Sequence, residues 1–593
     1  MKLRILLLCV FSWPFVFALN AFSIDREAFT FTNYDLHVRI EPAQQRLGAR
    51  GKITLRNDSP APQKLAVLQI SSSLSWRSIN ANGKALQFVS QPYTSDIDHT
   101  GSLSEAIVTL PEAVAPRASI ELEIAYEGVI VLDATRLTRI GAPQDQANDS
   151  DWDQISPKFT AVRGFGNVAW YPVATEAASL SEGKSLFEVE GRWRAREAAS
   201  TMHLQVAVPD DPENDPKNDP GDVGDNDQEQ APELLVNAST CPVAHEVQHE
   251  FVADCTFRQL ASIVPTFVMA DYELLDRPAV AVHFLHGHDT SATNYADSAE
   301  KVIPLVTEWF GAPHNKAQTA DLSDPNAAPF ESGSLLLTSL AGPDPKLAAL
   351  AAALQLTHTA FTSPRPWINE GLAHFAQALY LEQQNGRKTA IDYMATHRAA
   401  LSSAEQSADK PTAPRSEDEV NQSLVNTYDE ELYRSKAMCV WWMLRDMLGD
   451  QALKKAIALY HAEQDKEPSY MPRLIQAQTQ RDLEWFFDDW VYRDRGLPDF
   501  KVSSAFSRKM LPAGYMLTIT VENLGAAGAE VPLTVKFDGG EVIKRLVVRG
   551  KSNGVIRVEV PKPPQEIIVN DGSVPESDTT NNTFKIESSD AGK

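Results

Sequence analysis

The chain is poor in positive charge. Its 593 residues carry 54 Lys and Arg against 79 Asp and Glu, a formal net charge of −25. Binding a polyanion needs a basic footprint, so nucleic acid is excluded as a partner. Cysteine is scarce too, with four residues in all. That excludes a disulfide-dense scaffold. No segment beyond the N-terminus is apolar over a length that spans a bilayer. No internal repeat is evident, which removes solenoids and propellers. What is present is 43% hydrophobic and 22% charged residues, the balance of a globular protein with an ample core. At roughly 100–200 residues per domain the length predicts three or four domains.

The chain opens "MKLRILLLCVFSWPFVFALNAFS". Lys2 and Arg4 precede an apolar core from Ile5 to Ala18, and Ala21 stands at a plausible cleavage position. This reads as a secretory signal over residues 1–21, with an uncleaved membrane anchor as the alternative. It predicts export to the periplasm or the extracellular space. Losing Lys2 and Arg4 takes the charge from −25 to −27. Three cysteines then remain. In an oxidising compartment Cys241 and Cys255 can clamp a hairpin. Cys439, inside "AMCVWWML", reads as a buried free thiol.

Between those first two cysteines lies His245-Glu246-Val247-Gln248-His249, the H-E-x-x-H signature of zinc proteases. The signature works on a helix, where His at i and i+4 share a face and the Glu serves metal-bound water. Here the setting is wrong. Pro242 precedes it, and Phe251, Ala253, Cys255 and Phe257 alternate as in a strand. Val252 and Cys255 occupy the positions where a metzincin has Gly and a third His. The stretch reads as a polar hairpin.

Residues 27–275 read mostly as strands, among them "YDLHVRIEP", "ARGKITLRN", "SIELEIAYEG", "SLFEVEGRWRA" and "MHLQVAVP". They are interrupted at 209–233 by ten acids against one Lys, an expected disordered acidic insert. It lacks the Asp-x-Asp-x-Asp-Gly order of a calcium loop. From about 295 to 497 the pattern turns helical. "YADSAEKVIPLVTEWFG" ends on a Gly. "PDPKLAALAAALQLTHTAF" begins with Asp344 as a cap and Pro345 in the first turn. Strands return near 500, in a region the size of a small β-sandwich.

This order of parts resembles the aminopeptidase N family of zinc metallopeptidases. Trp367-Ile368-Asn369-Glu370-Gly371-Leu372-Ala373 is similar to the family's W-L-N-E-G-F-A, whose Glu is a zinc ligand. Tyr433-Arg434-Ser435-Lys436-Ala437 with "WWMLRDMLG" is similar to its Y-x-K-G-A and the helix that follows. There the Tyr stabilises the oxyanion. The 63 positions from Glu370 to Tyr433 are close to the family's spacing. The resemblance implies a multidomain α+β fold. Residues 27–275 would form an N-terminal β-sandwich or saddle domain, 276–498 a thermolysin-like mostly helical domain, and 499–593 a C-terminal β-sandwich. It also puts "HEVQH" in the domain that carries no zinc.

The resemblance fails at the metal. The family's own H-E-x-x-H aligns with Leu354-Gln355-Leu356-Thr357-His358. Only the second His is present; Leu354 takes the first ligand's place and Gln355 the general base's. The 12 positions from His358 to Glu370 make a shorter connection than the family's. The G-x-M-E-N motif becomes Ala328-Pro329-Phe330-Glu331-Ser332, which keeps the Glu that holds a substrate's amine. Zinc needs three protein ligands and an open position. His358 and Glu370 alone make an incomplete site, so zinc is expected weak or absent. His374, four residues after Glu370, is a candidate replacement ligand. His358 also reads as a hydrogen-bonded core histidine, since Leu347, Leu350 and Leu354 precede it on one stripe. Gln355 cannot take a proton, and a general base contributes ~10²–10⁴-fold.

The sequence therefore predicts an exported, non-catalytic pseudopeptidase that binds peptides or protein N-termini. Glu331 would take the amine, and Tyr433 would keep the family's place. An active zinc aminopeptidase and an interaction protein acting through its C-terminal sandwich are the alternatives.

Overall fold

The computed structural model of the chain describes residues 24–586, except 183–184, 210–232, 242–244, 248–249, 261–262, 342–344, 403–422, 428–431, 494 and 512. The expected leader, nearly all of the acidic insert, His249 and Asp344 lie outside the described residues.

The N-terminal region is built on an eight-stranded sheet. Its central strands are Phe29–Glu41, Arg46–Asn57 and Ser119–Val129, with Thr201–Pro209 and Glu250–Phe257 to one side. Side chains alternate between a buried face (Leu36, Val38, Ile40) and a solvated one (Asp35, His37, Arg39), as one-sided burial demands. His245–Val247 is the edge strand, paired antiparallel to Glu250–Val252, and Cys241 is disulfide-bonded to Cys255. The expected hairpin is therefore present.

One strand expectation fails. "SLFEVEGRWRA" lies in a helix, Ser185–Arg196. Its apolar residues satisfy both periods, 187-189-191-193 in steps of two and 186-189-193 in steps of three and four. Burial of Val189 and Trp193 on one helical face decides between them.

The middle region begins with a five-stranded sheet ordered Tyr272–Asp276, Val280–Leu285, Ala317–Asp321, Leu335–Thr338, Phe330–Ser332. Against it pack the helices Asp289–Phe310 and Pro345–Ala360, and against these packs Pro366–Asn385. The last of these carries Gly371, where a Cβ would lie 2.7 Å from the Cβ of Ala437. Gly in a helix interior costs about 1 kcal/mol. Here it admits the neighbouring helix Ala437–Leu448, whose Trp441 stacks on Trp367 at 5.3 Å. That explains the Gly of the Asn-Glu-Gly motif by packing alone.

The C-terminal region forms two sheets. One joins Phe500–Lys509, Tyr515–Asn523 and Asn553–Val560. The other joins Gly540–Val548, Ala529–Phe537, Pro564–Val569 and Thr583–Lys585. Its apolar residues share one continuous core with the helices, while the N-terminal region has its own core. A third cluster bridges the N-terminal region to the five-stranded sheet through Trp152, Leu235 and Val268 against Ala320, Leu335 and Leu337. Cys439 is a buried free thiol whose pKa burial raises to about 12. No helix among the described residues is long and apolar enough to cross a membrane.

Candidate functional site

The helix Pro345–Ala360 turns an alanine-rich face to the core: Ala348, Ala349, Ala352, Ala353 and Ala360 are all buried. Of the expected stripe of Leu347, Leu350 and Leu354, Leu350 alone joins that core. Leu347 is 61% exposed, and Leu354 and His358 are half-buried. His358 is thus not a residue of the apolar core.

Two carboxylates meet it instead. His358 Nδ1 lies 2.7 Å from Glu331 Oε1, and His358 Nε2 lies 3.4 Å from Glu370 Oε1. The second distance is an electrostatic contact without an aligned hydrogen bond, since Nε2 has no hydrogen-bond partner among the described residues. Burial opposes charge on the imidazole. Glu331 and Glu370 override it and hold His358 well above the usual histidine range. Burial likewise opposes charge on Glu370. His358, then Arg434 and His374, hold its carboxyl well below the usual range. Arg434 Nε stands 3.9 Å from Glu370 Oε2, and Asn369 donates to Glu370 Oε1 at 3.2 Å. An imidazolium thus lies between the two carboxylates and a guanidinium beside one.

Gln355 is fully buried and turned to the sheet. Its Oε1 accepts from Tyr295 at 2.8 Å and Thr319 at 3.2 Å. Its Nε2 donates to the carbonyls of Gln318 at 2.7 Å and Ser334 at 3.2 Å. All four bonds are structural, so this side chain ties its helix to the helix Asp289–Phe310, to the strand Ala317–Asp321 and to the turn before Leu335.

Tyr433 lies half-buried in a wide helical turn, Leu432–Lys436, that packs on the Glu370 helix, with the Arg434 guanidinium 6.0 Å from its ring. His374 lies beyond Glu370, its ring centre 6.0 Å from that of His397. Burial lowers its pKa to about 4, and its Nδ1 has no hydrogen-bond partner among the described residues. Sequence reasoning missed Arg434 and Asn369 as neighbours of Glu370, although both stand inside the quoted motifs.

Whether these residues suit zinc is answered by the donors. Among the described residues no group of three His, Cys, Asp or Glu is arranged to hold a metal ion. His358 Nε2 and Glu370 Oε1 are two donors, and Leu354 supplies none. The set does not fit an ion that needs three protein ligands.

Residues 364–490, which include Glu370 and Tyr433, match the Peptidase family M1 domain. The likeness to aminopeptidase-N-type zinc metallopeptidases thus holds. No curated protein matches the sequence. Among solved structures, an M1 zinc metallopeptidase from Deinococcus radiodurans is 15% identical, covering 80% of this chain and 96% of its own, at a TM-score of 0.48. A mutant of an M1 zinc metallopeptidase from that organism, bound to a Tyr-Ser-Ala substrate, is 16% identical over the same shares at 0.46. A two-domain M1 zinc metallopeptidase mutant bound to L-arginine is 16% identical, covering 76% of this chain and 91% of its own, at 0.44.

Proposed function

We propose that this chain is an exported, aminopeptidase-N-like pseudopeptidase that binds peptide amino termini without hydrolysing them. The observation that carries the reading is a pair of unsatisfied atoms. Glu331 Oε2 and His358 Nε2 are both buried and have no hydrogen-bond partner among the described residues, the latter having only its 3.4 Å charge contact with Glu370. Buried polar groups left in that state are costly, so such a pair favours a ligand that satisfies both. One atom accepts and the other, on an imidazolium, donates. A peptide's first residue offers the complement, an ammonium for Glu331 and a carbonyl oxygen for His358.

Hydrolysis needs more. It needs an activated water and a base to take its proton. Leu354 removes a metal ligand. Gln355 has no basic oxygen and is bound into the core. Glu370 serves to hold His358 in its charged form. Tyr433 is assigned a contact to the peptide on the same turn as Arg434. Residues 27–275, 276–498 and 499–593 are taken as the functional units. The shared apolar core supports treating the last two as one folding unit.

The test is calorimetry with a free-amine peptide and its N-acetylated twin, beside elemental analysis and a panel of aminoacyl-amide substrates. Expected are weak binding that prefers the free amine and falls with salt, zinc below one equivalent, and no turnover. Chelator-sensitive turnover by the unaltered protein sinks the reading.

A further inference from the structure

Glu331 sits on a short edge strand, Phe330–Ser332, that pairs on one side only, with Leu335–Thr338. Three residues are too few to fix a side chain by themselves. The residues on either side of Glu331 are held by the N-terminal region.

Before it, Trp152 Nε1 donates to the carbonyl of Ala328 at 2.9 Å, and Ala328 N donates to the carbonyl of Asp149 at 2.6 Å. The Arg163 guanidinium lies 3.9 Å over the Trp152 ring and 5.6 Å from the Phe330 ring. Arg163 is itself immobilised. It is 4% exposed and donates to Asp153 Oδ2 through Nε at 3.0 Å and Nη2 at 2.6 Å, and to the carbonyl of Ser150 at 2.8 Å. After it, Ser332 Oγ donates to the carbonyl of Val264 at 3.2 Å, and Asn237 Nδ2 donates to the carbonyl of Ser332 at 3.3 Å.

A buried Arg paired to a buried Asp is rigid because breaking either side strands a charge. Stacked on Trp152, it fixes the plane of that ring and so the direction of its N–H. The Trp152 bond then sets the path of the backbone three residues ahead of Glu331. We infer that Trp152 and Arg163 are positioning residues for Glu331: the N-terminal region sets where the amine-accepting carboxylate points. This rests on the proposed binding of amino termini at Glu331.

The test compares affinities for the free-amine peptide and its N-acetylated twin in each variant. Trp152→Phe keeps a ring under Arg163 and removes the N–H. It is expected to reduce the preference for the free amine about three- to tenfold, the effect of one hydrogen bond, while affinity for the acetylated twin stays unchanged. Arg163→Lys, which keeps a cation on Asp153 but not the planar stack, is expected to act in the same direction. In a Glu331→Gln background neither change has a further effect on the ratio. An undiminished ratio in both folded variants overturns the inference alone, as does equal weakening for the two peptides. No preference in the unaltered protein overturns the proposed function and this inference with it.

Discussion

Two stretches of the chain share the letters of one motif and divide its requirements between them. His245–His249 has the residues of H-E-x-x-H but not the setting, since His245–Val247 is an edge strand beside a disulfide. Leu354–His358 has the setting, a helix packed on a sheet and facing a second helix, but only one of the residues. The helix brings His358 to Glu331 and Glu370, whereas a strand, rising about 3.3 Å per residue, cannot hold i and i+4 on one turn. A motif thus has meaning through its backbone, and the helix places its His between two carboxylates.

The comparison is attacked most strongly at Gln355. Gln355→Glu restores the letter of the general base. It also removes both N–H bonds to Gln318 and Ser334 and aims a carboxylate at their carbonyls. The expected cost is about 3 kcal/mol or more in urea denaturation at neutral pH. Burial beside carbonyls raises the new carboxyl's folded pKa above its unfolded value. The protonated form is thus favoured, and stability recovers as pH falls and is lost as pH rises through that pKa. A stable, pH-indifferent variant contradicts the structural role of Gln355.

The hairpin side is tested through its disulfide. Cys241 and Cys255 are 14 positions apart, and a closed loop of that size contributes about 3 kcal/mol. Cys241→Ser with Cys255→Ser is expected to lower the melting temperature and to raise hydrogen exchange over 245–257. Binding at Glu331 stays unchanged. Lost binding in a protein still folded elsewhere would mean that the two stretches are coupled.

Much of this was legible because residue patterns encode packing directly. The alternation in 251–257 gives the hairpin, and Trp367 to Ala373 gives the helix packed through Gly371. The Ser185–Arg196 helix was not legible, because its apolar residues fit both periods and only tertiary burial separates them. The surroundings of His358 were partly legible. Glu331 and Glu370 stood in recognised motifs, but their neutralisation did not, since it depends on distances between elements remote in sequence. Gln355 read as a lost base. Its four structural bonds come from residues 21 to 60 positions away, and no local pattern announces them.

A gain of metal is expected on the helix side. Leu354→His supplies a third donor one turn before His358. Zinc affinity is expected to rise at least about tenfold over the unaltered protein, since ligand losses even outside the metal's direct donors cost about that much. Zinc must displace the proton that Glu331 and Glu370 stabilise on His358, so uptake should be tighter at high pH than below neutrality. Peptidase activity should stay absent, because Gln355 still supplies no base. Elemental analysis across pH checks this. A folded variant without zinc gain shows that His358 and Glu370 do not converge on one ion position.

The smallest expected effect falls on the intact motif. His245→Ala with His249→Ala removes both nitrogen donors that the sequence signature would assign to zinc. His245–Val247 pairs with Glu250–Val252 through backbone hydrogen bonds, which alanine keeps. Substitutions of this kind at a sheet edge fall within about ±0.5 kcal/mol. Metal content, free-amine preference and stability should therefore match the unaltered protein within error, and Leu354→His should gain zinc equally well in this background. The comparison breaks if the double variant loses bound metal. A metal would then reside on the hairpin, and an edge strand would be doing what the signature otherwise asks of a helix.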